Sequence, residues 1–305
     1  MTKKNVKNVA SSIRQRLFNK ANESNRPFNE ILQYYALERF LYRLSKSEYK
    51  EKFVLKGALL FVIWQQPETR STVDIDLLGK ISNNTDTILK VFKEICEIDV
   101  AEDGIRFDSS SVTSEQITVD ADYQGVRVWL YGHLGTARVR IQIDIGFSDV
   151  ITPGPEKFSY PTILPVPAPR LNCYNKETFI AEKLQAMVKL NIINSRMKDF
   201  YDIWLLSERF EFDSIMLKDS IRNTFQRRET EITENGIAFL DVFCRNDEKI
   251  KQWKGFLRKS RVLNVPEDLV KIVQVLKLFL SPIITSIVTG DAFRKTWNPK
   301  QRLWR

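Results

Sequence analysis

The sequence has one histidine, His133, in 305 residues, and three cysteines, Cys96, Cys173 and Cys244. A single histidine removes most His-dependent mechanisms, Ser-His-Asp hydrolysis among them, and leaves multi-His metal sites without ligands. Three cysteines, odd in number and far apart, argue against a metal knuckle and for a reducing, cytoplasmic setting. No stretch approaches the ~20 apolar residues that a membrane helix needs. Phe53 to Trp64 is broken by Lys56, and Val262 to Val288 by Glu267, Asp268, Lys271 and Lys277. Internal repeats and low-complexity tracts are missing too. What remains is chemistry run on carboxylates, lysines and backbone amides.

What is present suits a folded chain of about two domains: 43% apolar and 11% aromatic residues. The net charge is +9. Residues 1–169 carry 22 Lys and Arg against 21 Asp and Glu, and residues 170–305 carry 25 against 17, so +1 lies in the first part and +8 in the second. Such an excess fits either a polyanionic partner or simple solubility.

The first 22 residues hold six cations and no acid. That could be a transit peptide. The spacing Val9, Ile13, Leu17, continued by Ile31, Leu32, Tyr35, Phe40 and Leu44, favours amphipathic helices separated at Pro27. Beyond Phe53 the pattern changes. A short apolar run, Phe53-Val54-Leu55, leads through Lys56-Gly57 to a helix-like Ala58 to Trp64. Strands are expected over Thr72–Leu78, Gln116–Val119, Gly125–Tyr131 and Ala137–Ile145, with Gly132 and Gly135 marking the last turn and a helix over Ile88–Ile98. Six of the eleven prolines fall between Thr152 and Pro169. They exclude helix and central strand there and read as a linker or strap over 152–170. Helices are expected over 176–190, 196–209, 213–228, 231–245, 248–258 and 267–289. The resulting fold class is α+β: a mixed-sheet domain with a helical lead-in over 1–151, then an all-helical domain over 171–305.

The sharpest chemical signal is Thr72-Val73-Asp74-Ile75-Asp76-Leu77. Alternation along a strand puts Asp74 and Asp76 on one face, about 7 Å apart at their Cα atoms. Such a pair can bracket Mg²⁺, which takes hard oxygen ligands, or can be a solvated polar edge. In Val139 to Ile145 the same alternation sets Asp144 apart from the apolar face, with Arg138, Arg140 and Gln142. If the two strands are neighbours, three carboxylates converge and require metal or nearby cations; otherwise Asp144 pairs with an arginine. Upstream, Lys56-Gly57-Ala58 is a strand-to-helix turn whose amides can receive a phosphate.

These features, in this order, resemble the polymerase-β-type nucleotidyltransferase pattern. More closely, the chain is similar to the AbiEii/AbiGii toxin family of bacterial toxin–antitoxin systems, whose relatives include the MenT toxins. The resemblance lies in Phe53 to Gly57, Arg70 to Leu77, Thr178 to Leu184 and Arg196 to Ile203, and spans roughly residues 10–210. Two departures stand out. Ala58 replaces the usual second Gly or Ser of the turn, and Thr72 replaces a serine before the first aspartate, where Ser71 adds a further hydroxyl.

The resemblance implies a polymerase-β-like domain that transfers a nucleotide from a nucleoside triphosphate to an RNA acceptor, tRNA first, with one or two Mg²⁺ ions. It implies catalytic roles for Asp74, Asp76 and Asp144 as metal ligands, and functional roles for Lys183 and Asp199. Lys56, Gly57, Ala58, Arg70, Ser71, Thr72, Lys198 and Asp202 would contact the nucleotide. Read from the residues alone, Lys198 and Asp202 are equally a surface ion pair. A cognate antitoxin is implied as partner, and no membrane. Two alternatives stay open: a protein hydroxyl as acceptor, and a decayed site that only binds nucleic acid or antitoxin. Cations interleaved with Trp253 and Phe256 over 245–261, and with Trp297 and Trp304 after Arg294, fit RNA by charge and stacking. For 245–261 a solvated face over core tryptophans fits as well.

Overall fold

The structure, a computed structural model, describes residues 8–65, 72–119, 123–233, 241–260, 262 and 264–305. These form two compact units. The first runs from the N-terminal helices to Ser148 and resumes over Glu156–Cys173; the second comprises Asp149–Pro155 and Tyr174–Arg305.

The first unit opens with α1 (Val9–Glu23), capped by the Asn8 side chain accepting from the Ser11 N–H at 3.0 Å. Ile13, Leu17 and Ala21 are its buried stripe, so the cationic lead-in is a packed helix. Pro27 is the N-cap of α2 (Phe28–Lys46), where its fixed φ and missing N–H cost nothing. A seven-stranded mixed sheet follows in the order β3-β4-β5-β2-β1-β7-β6. Its strands are β1 (Phe53–Lys56), β2 (Asp74–Gly79), β3 (Ile105–Val119), β4 (Tyr123–Leu134), β5 (Ala137–Gly146), β6 (Glu156–Ser159) and β7 (Arg170–Cys173). Between β1 and β2 lies the single-turn helix α3 (Leu60–Ile63), and between β2 and β3 lies α4 (Thr85–Glu97). Val139, Ile141, Ile143 and Ile145 alternate into the core from β5 while its even-numbered residues stay half-buried or exposed. Helices α2 and α4 pack on the sheet, and one sheet face is left polar.

Three expectations are corrected here. Strand β3 begins at Ile105, eleven residues before the predicted Gln116; the run Asp108-Ser109-Ser110-Ser111 lacks apolar alternation because the register breaks between Asp108 and Thr113. The turn into β5 is Gly135-Thr136 alone, with Gly135 at φ +59°, whereas Gly132 is a strand residue packed under the Phe107 ring. The proline-rich stretch is no free linker. Residues 156–173 supply edge strand β6 and strand β7 of the first unit's sheet. The strap is tied to α2: the Ile163 N–H donates to the Glu38 carboxylate at 2.7 Å, and Arg39 donates to the Pro167 carbonyl at 2.9 Å.

The second unit contains α5 (Lys176–Leu190), α6 (Met197–Arg209), α7 (Ser214–Arg227), α8 (Asp241–Cys244), α9 (Asp247–Ser260) and α10 (Leu269–Thr289). Of the helix expected over 231–245, only α8 is present among the described residues; 231–233 are irregular, and 234–240 lie outside them. The unit is helical but not wholly so. Strands β8 (Phe212–Asp213), β9 (Thr296–Asn298) and β10 (Leu303–Trp304) form a small antiparallel sheet. Helix α10 is, by length and composition, apolar enough to cross a membrane, which corrects the expectation that no segment is. The acids Glu267 and Asp268 precede it, and Leu276, Phe279, Leu280 and Ile283 are buried in the unit.

Phe279 also decides the C-terminal tryptophans. Trp297 is fully buried, and Trp304 stacks on Phe279 at 5.7 Å and 3°. Their indole N–H groups donate to the carbonyls of Ser207 at 2.7 Å and Phe279 at 3.0 Å. Neither ring is available to stack on a base. Trp253 is likewise buried, its indole N–H on Pro266. The core reading wins in both basic regions. Trp297→Ala should therefore cost about 3–5 kcal/mol of stability, the range for emptying a large aromatic site, measured by urea unfolding of the full chain. A loss below about 1 kcal/mol would return the tail to the surface.

Candidate active site

Strand β2 lies between β1 and β5, antiparallel to the first and parallel to the second. Parallel pairing sets Asp76 beside Asp144 and Asp74 beside Gln142. The three half-buried carboxylates thus meet on the polar face, each with a ligand oxygen within 4.8 Å of the others. Among the described residues this is the one group of His, Cys, Asp and Glu gathered closely enough to hold a metal ion. Hard oxygen donors at that spacing suit a divalent cation such as Mg²⁺, or a pair of ions about 3.5–4 Å apart.

Each carboxylate is positioned by a neighbour. The Thr72 hydroxyl donates to Asp74 at 2.5 Å, and the Thr72 N–H donates to the Tyr34 hydroxyl at 3.1 Å. Thr72 thus has a use for the hydroxyl that it keeps. Arg70 and Ser71 lie outside the described residues. Lys56 is the register partner of Asp76 across β1 and β2. Gly57, at φ +72°, closes on the same side chain: a Cβ there would lie 1.9 Å from Asp76 Oδ2. Ala58 is buried beside it. The helix after this turn is shorter than the predicted Ala58 to Trp64, being the one turn of α3. Its dipole is correspondingly small.

Asp144 is held by an arginine that sequence reading did not single out. Arg127 of β4 stands opposite it and donates through Nε at 2.7 Å and through Nη2 at 2.8 Å. The bidentate fork fixes the carboxylate plane, and it raises the Arg127 pKa, chiefly through this hydrogen bond. Gln142 Nε2 donates to the same carboxylate at 3.1 Å. Both readings of Asp144 hold together. It belongs to the carboxylate cluster and is paired with an arginine.

The model of the nucleotidyl transferase AbiEii toxin family, a type IV toxin–antitoxin system, matches residues 39–275. The chain belongs to the AbiEii family. It is therefore a nucleotidyltransferase of the toxin–antitoxin class. Among solved structures it is similar to MenT4, a nucleotidyltransferase toxin from Mycobacterium tuberculosis H37Rv. Identity is 14% and the TM-score 0.51, over 91% of this chain and 98% of that one. JHP933 from Helicobacter pylori is 14% identical at a TM-score of 0.47, over 83% of this chain and 90% of that one. No curated protein matches in sequence. At such identity the likeness to MenT4 shows the fold alone.

The remaining residues expected to be functional lie in the second unit. Lys183 of α5 is buried, and its ammonium lies 2.8 Å from Asp199 and 2.8 Å from Asp202, both on α6 and both fully buried. Arg196 adds a contact to Asp199 at 2.7 Å. Two carboxylates are thereby balanced by two cations. Asp202 is buried and has Lys183 of another helix as a partner, while Lys198, one turn before it on α6, is exposed.

Proposed function

We propose that the chain is a Mg²⁺-dependent nucleotidyltransferase toxin that transfers a nucleotide from a nucleoside triphosphate to an RNA hydroxyl, with tRNA as the first acceptor to test. The observation that carries this is the meeting of Asp74, Asp76 and Asp144 on one sheet face, within 4.8 Å, in a chain of this family. Asp74 and Asp76 would hold the metal, with Asp144. When bound, Mg²⁺ supplies charge neutralisation at the α-phosphoryl group. The acceptor oxygen forms its bond to the α-phosphorus as the bond to the pyrophosphate oxygen breaks. Asp144 takes the hydroxyl proton.

Arg127 keeps Asp144 from turning away, and Thr72 does the same for Asp74. Lys56, Gly57 and Ala58 offer the turn that receives phosphate, and Arg70 and Ser71 precede the paired aspartates in sequence. To Lys183 and Asp199 we assign the functional roles that the family implies, with Asp202 as their partner and Lys198 on the nucleotide. Purified protein incubated with each labelled nucleoside triphosphate, Mg²⁺ and total tRNA should yield labelled RNA, and Asp74→Ala/Asp76→Ala should yield none. Label that stays in a protein band after nuclease treatment would shift the acceptor to a protein. No transfer by the wild-type chain with any nucleotide would overturn the proposal.

A further inference from the structure

We propose that the open face of β4 and β5, beside the three carboxylates, is the platform that binds the acceptor as a single-stranded nucleic-acid segment. The inference rests on the transferase reading above and adds where the acceptor lies and in what form it is held. Along this face the even-numbered residues of β5 run Asp144, Gln142, Arg140, Arg138, away from the carboxylates and toward the Gly135 turn. Across the ladder, β4 contributes Trp129 opposite Gln142 and Tyr131 opposite Arg140. Each exposed arginine is stacked on a half-buried ring: the Arg140 guanidinium lies 3.6 Å from the Trp129 ring centre, and that of Arg138 lies 4.4 Å from the Tyr131 ring centre.

Stacking fixes both guanidinium planes before any ligand arrives, so little side-chain freedom is left to lose on binding. Same-face residues on a strand are about 7 Å apart, which places two fixed cations in a row leading from the carboxylates. Guanidinium planes and aromatic rings are what unpaired bases stack on, and the free N–H edges take phosphate. A duplex offers its bases no such access, so a single-stranded end or loop is the form that fits. The acids that share the face are Asp108, opposite Tyr131, and Glu115, opposite Arg127. Glu115 lies 3.5 Å from the Trp129 indole nitrogen, on the side of the ring pair nearer the carboxylates. Glu115 thus ends the cationic stretch on the carboxylate side, and Asp108 flanks it at Tyr131.

The test uses the full chain and a fluorescein-labelled single-stranded RNA oligonucleotide, read by anisotropy over a salt series. Arg138→Gln/Arg140→Gln changes two exposed side chains. It should weaken RNA binding at least tenfold and flatten the plot of log K against log salt by about 1.4, the value for two phosphate contacts on a single strand. Affinity for Mg²⁺-nucleoside triphosphate should be unchanged, and in the transfer assay KM for RNA should rise with kcat nearly constant. Unaltered RNA affinity, or a loss confined to nucleotide affinity, would overturn the platform. The two readings fail separately. A chain that transfers to RNA equally well with and without both arginines keeps the reaction and loses the platform. A chain whose RNA binding depends on them but that transfers nothing keeps the platform and loses the reaction.

Discussion

Asp76→Asn should melt higher than the wild-type chain in metal-free buffer and yet transfer no nucleotide. The two results have one cause. Three carboxylates with oxygens within 4.8 Å of one another repel wherever cations do not fully offset them. Asn has nearly the same shape, so removing one charge relieves the repulsion without emptying space. For units of this size a gain of about 1 kcal/mol raises Tm by roughly 2–4 °C. Transfer should fall by at least ~10³-fold, since a metal supplies several kcal/mol of charge stabilisation at the phosphoryl group. Adding Mg²⁺ should raise the Tm of the wild-type chain and leave that of the variant unmoved. A variant that melts lower than wild type without metal would show that the carboxylates are held by cations alone. A variant that melts higher but still transfers would remove Asp76 from the metal site.

How much of this site could be read in advance depended on where a turn was placed. Alternation along β2 and β5 is enough to put Asp74, Asp76 and Asp144 on polar faces, because Ile75, Ile143 and Ile145 are so plainly the buried set. Which strands are neighbours is a matter of long-range topology, and no local pattern encodes it. Arg127 was within reach. With the turn at Gly135-Thr136, Leu134 faces Ala137, and counting back seven residues on each strand sets Arg127 against Asp144. Spreading the turn from Gly132 to Gly135 concealed that pairing.

The charge split misled in a similar way. It drew attention to the tryptophans of the basic second part, yet Trp297 and Trp304 are consumed by the core around Phe279. Alternation in β9 and β10 is too short to announce this, at three and two residues. The two ring–arginine stacks beside the carboxylates, Trp129 with Arg140 and Tyr131 with Arg138, belong to the near-neutral first part. Net charge sums over the clustered acids, one of them paired with Arg127, and so hides a local arrangement. Asp199 and Asp202 were legible as a face of α6, but their burial was not, because nothing in the spacing names Lys183 of another helix as the partner.

Gly57→Ala tests the turn more sharply than any change to a charged residue. Two independent costs meet at this position. At φ +72° an L-residue sits in the left-handed region, at about 1–2 kcal/mol. The added Cβ would also lie 1.9 Å from Oδ2, 2.6 Å from Cγ and 2.7 Å from Cβ of Asp76. A rotation of the carboxylate relieves the first two contacts but not the last, because the Asp76 Cβ moves only with its strand, and β2 is paired on both sides. Total destabilisation should be about 2–5 kcal/mol. Transfer should fall by ~10²-fold or more, since a shift near 1 Å in a carboxylate of the proposed site is enough for that. The two costs separate in an Asp76→Gly background, where the clash has no partner. There Gly57→Ala should cost only the left-handed strain of about 1–2 kcal/mol, measured by urea unfolding against Asp76→Gly alone. An equal cost in both backgrounds would mean that Gly57 is required for its conformation only. In that case the approach of the turn to Asp76 plays no part in holding the carboxylate where the reaction needs it.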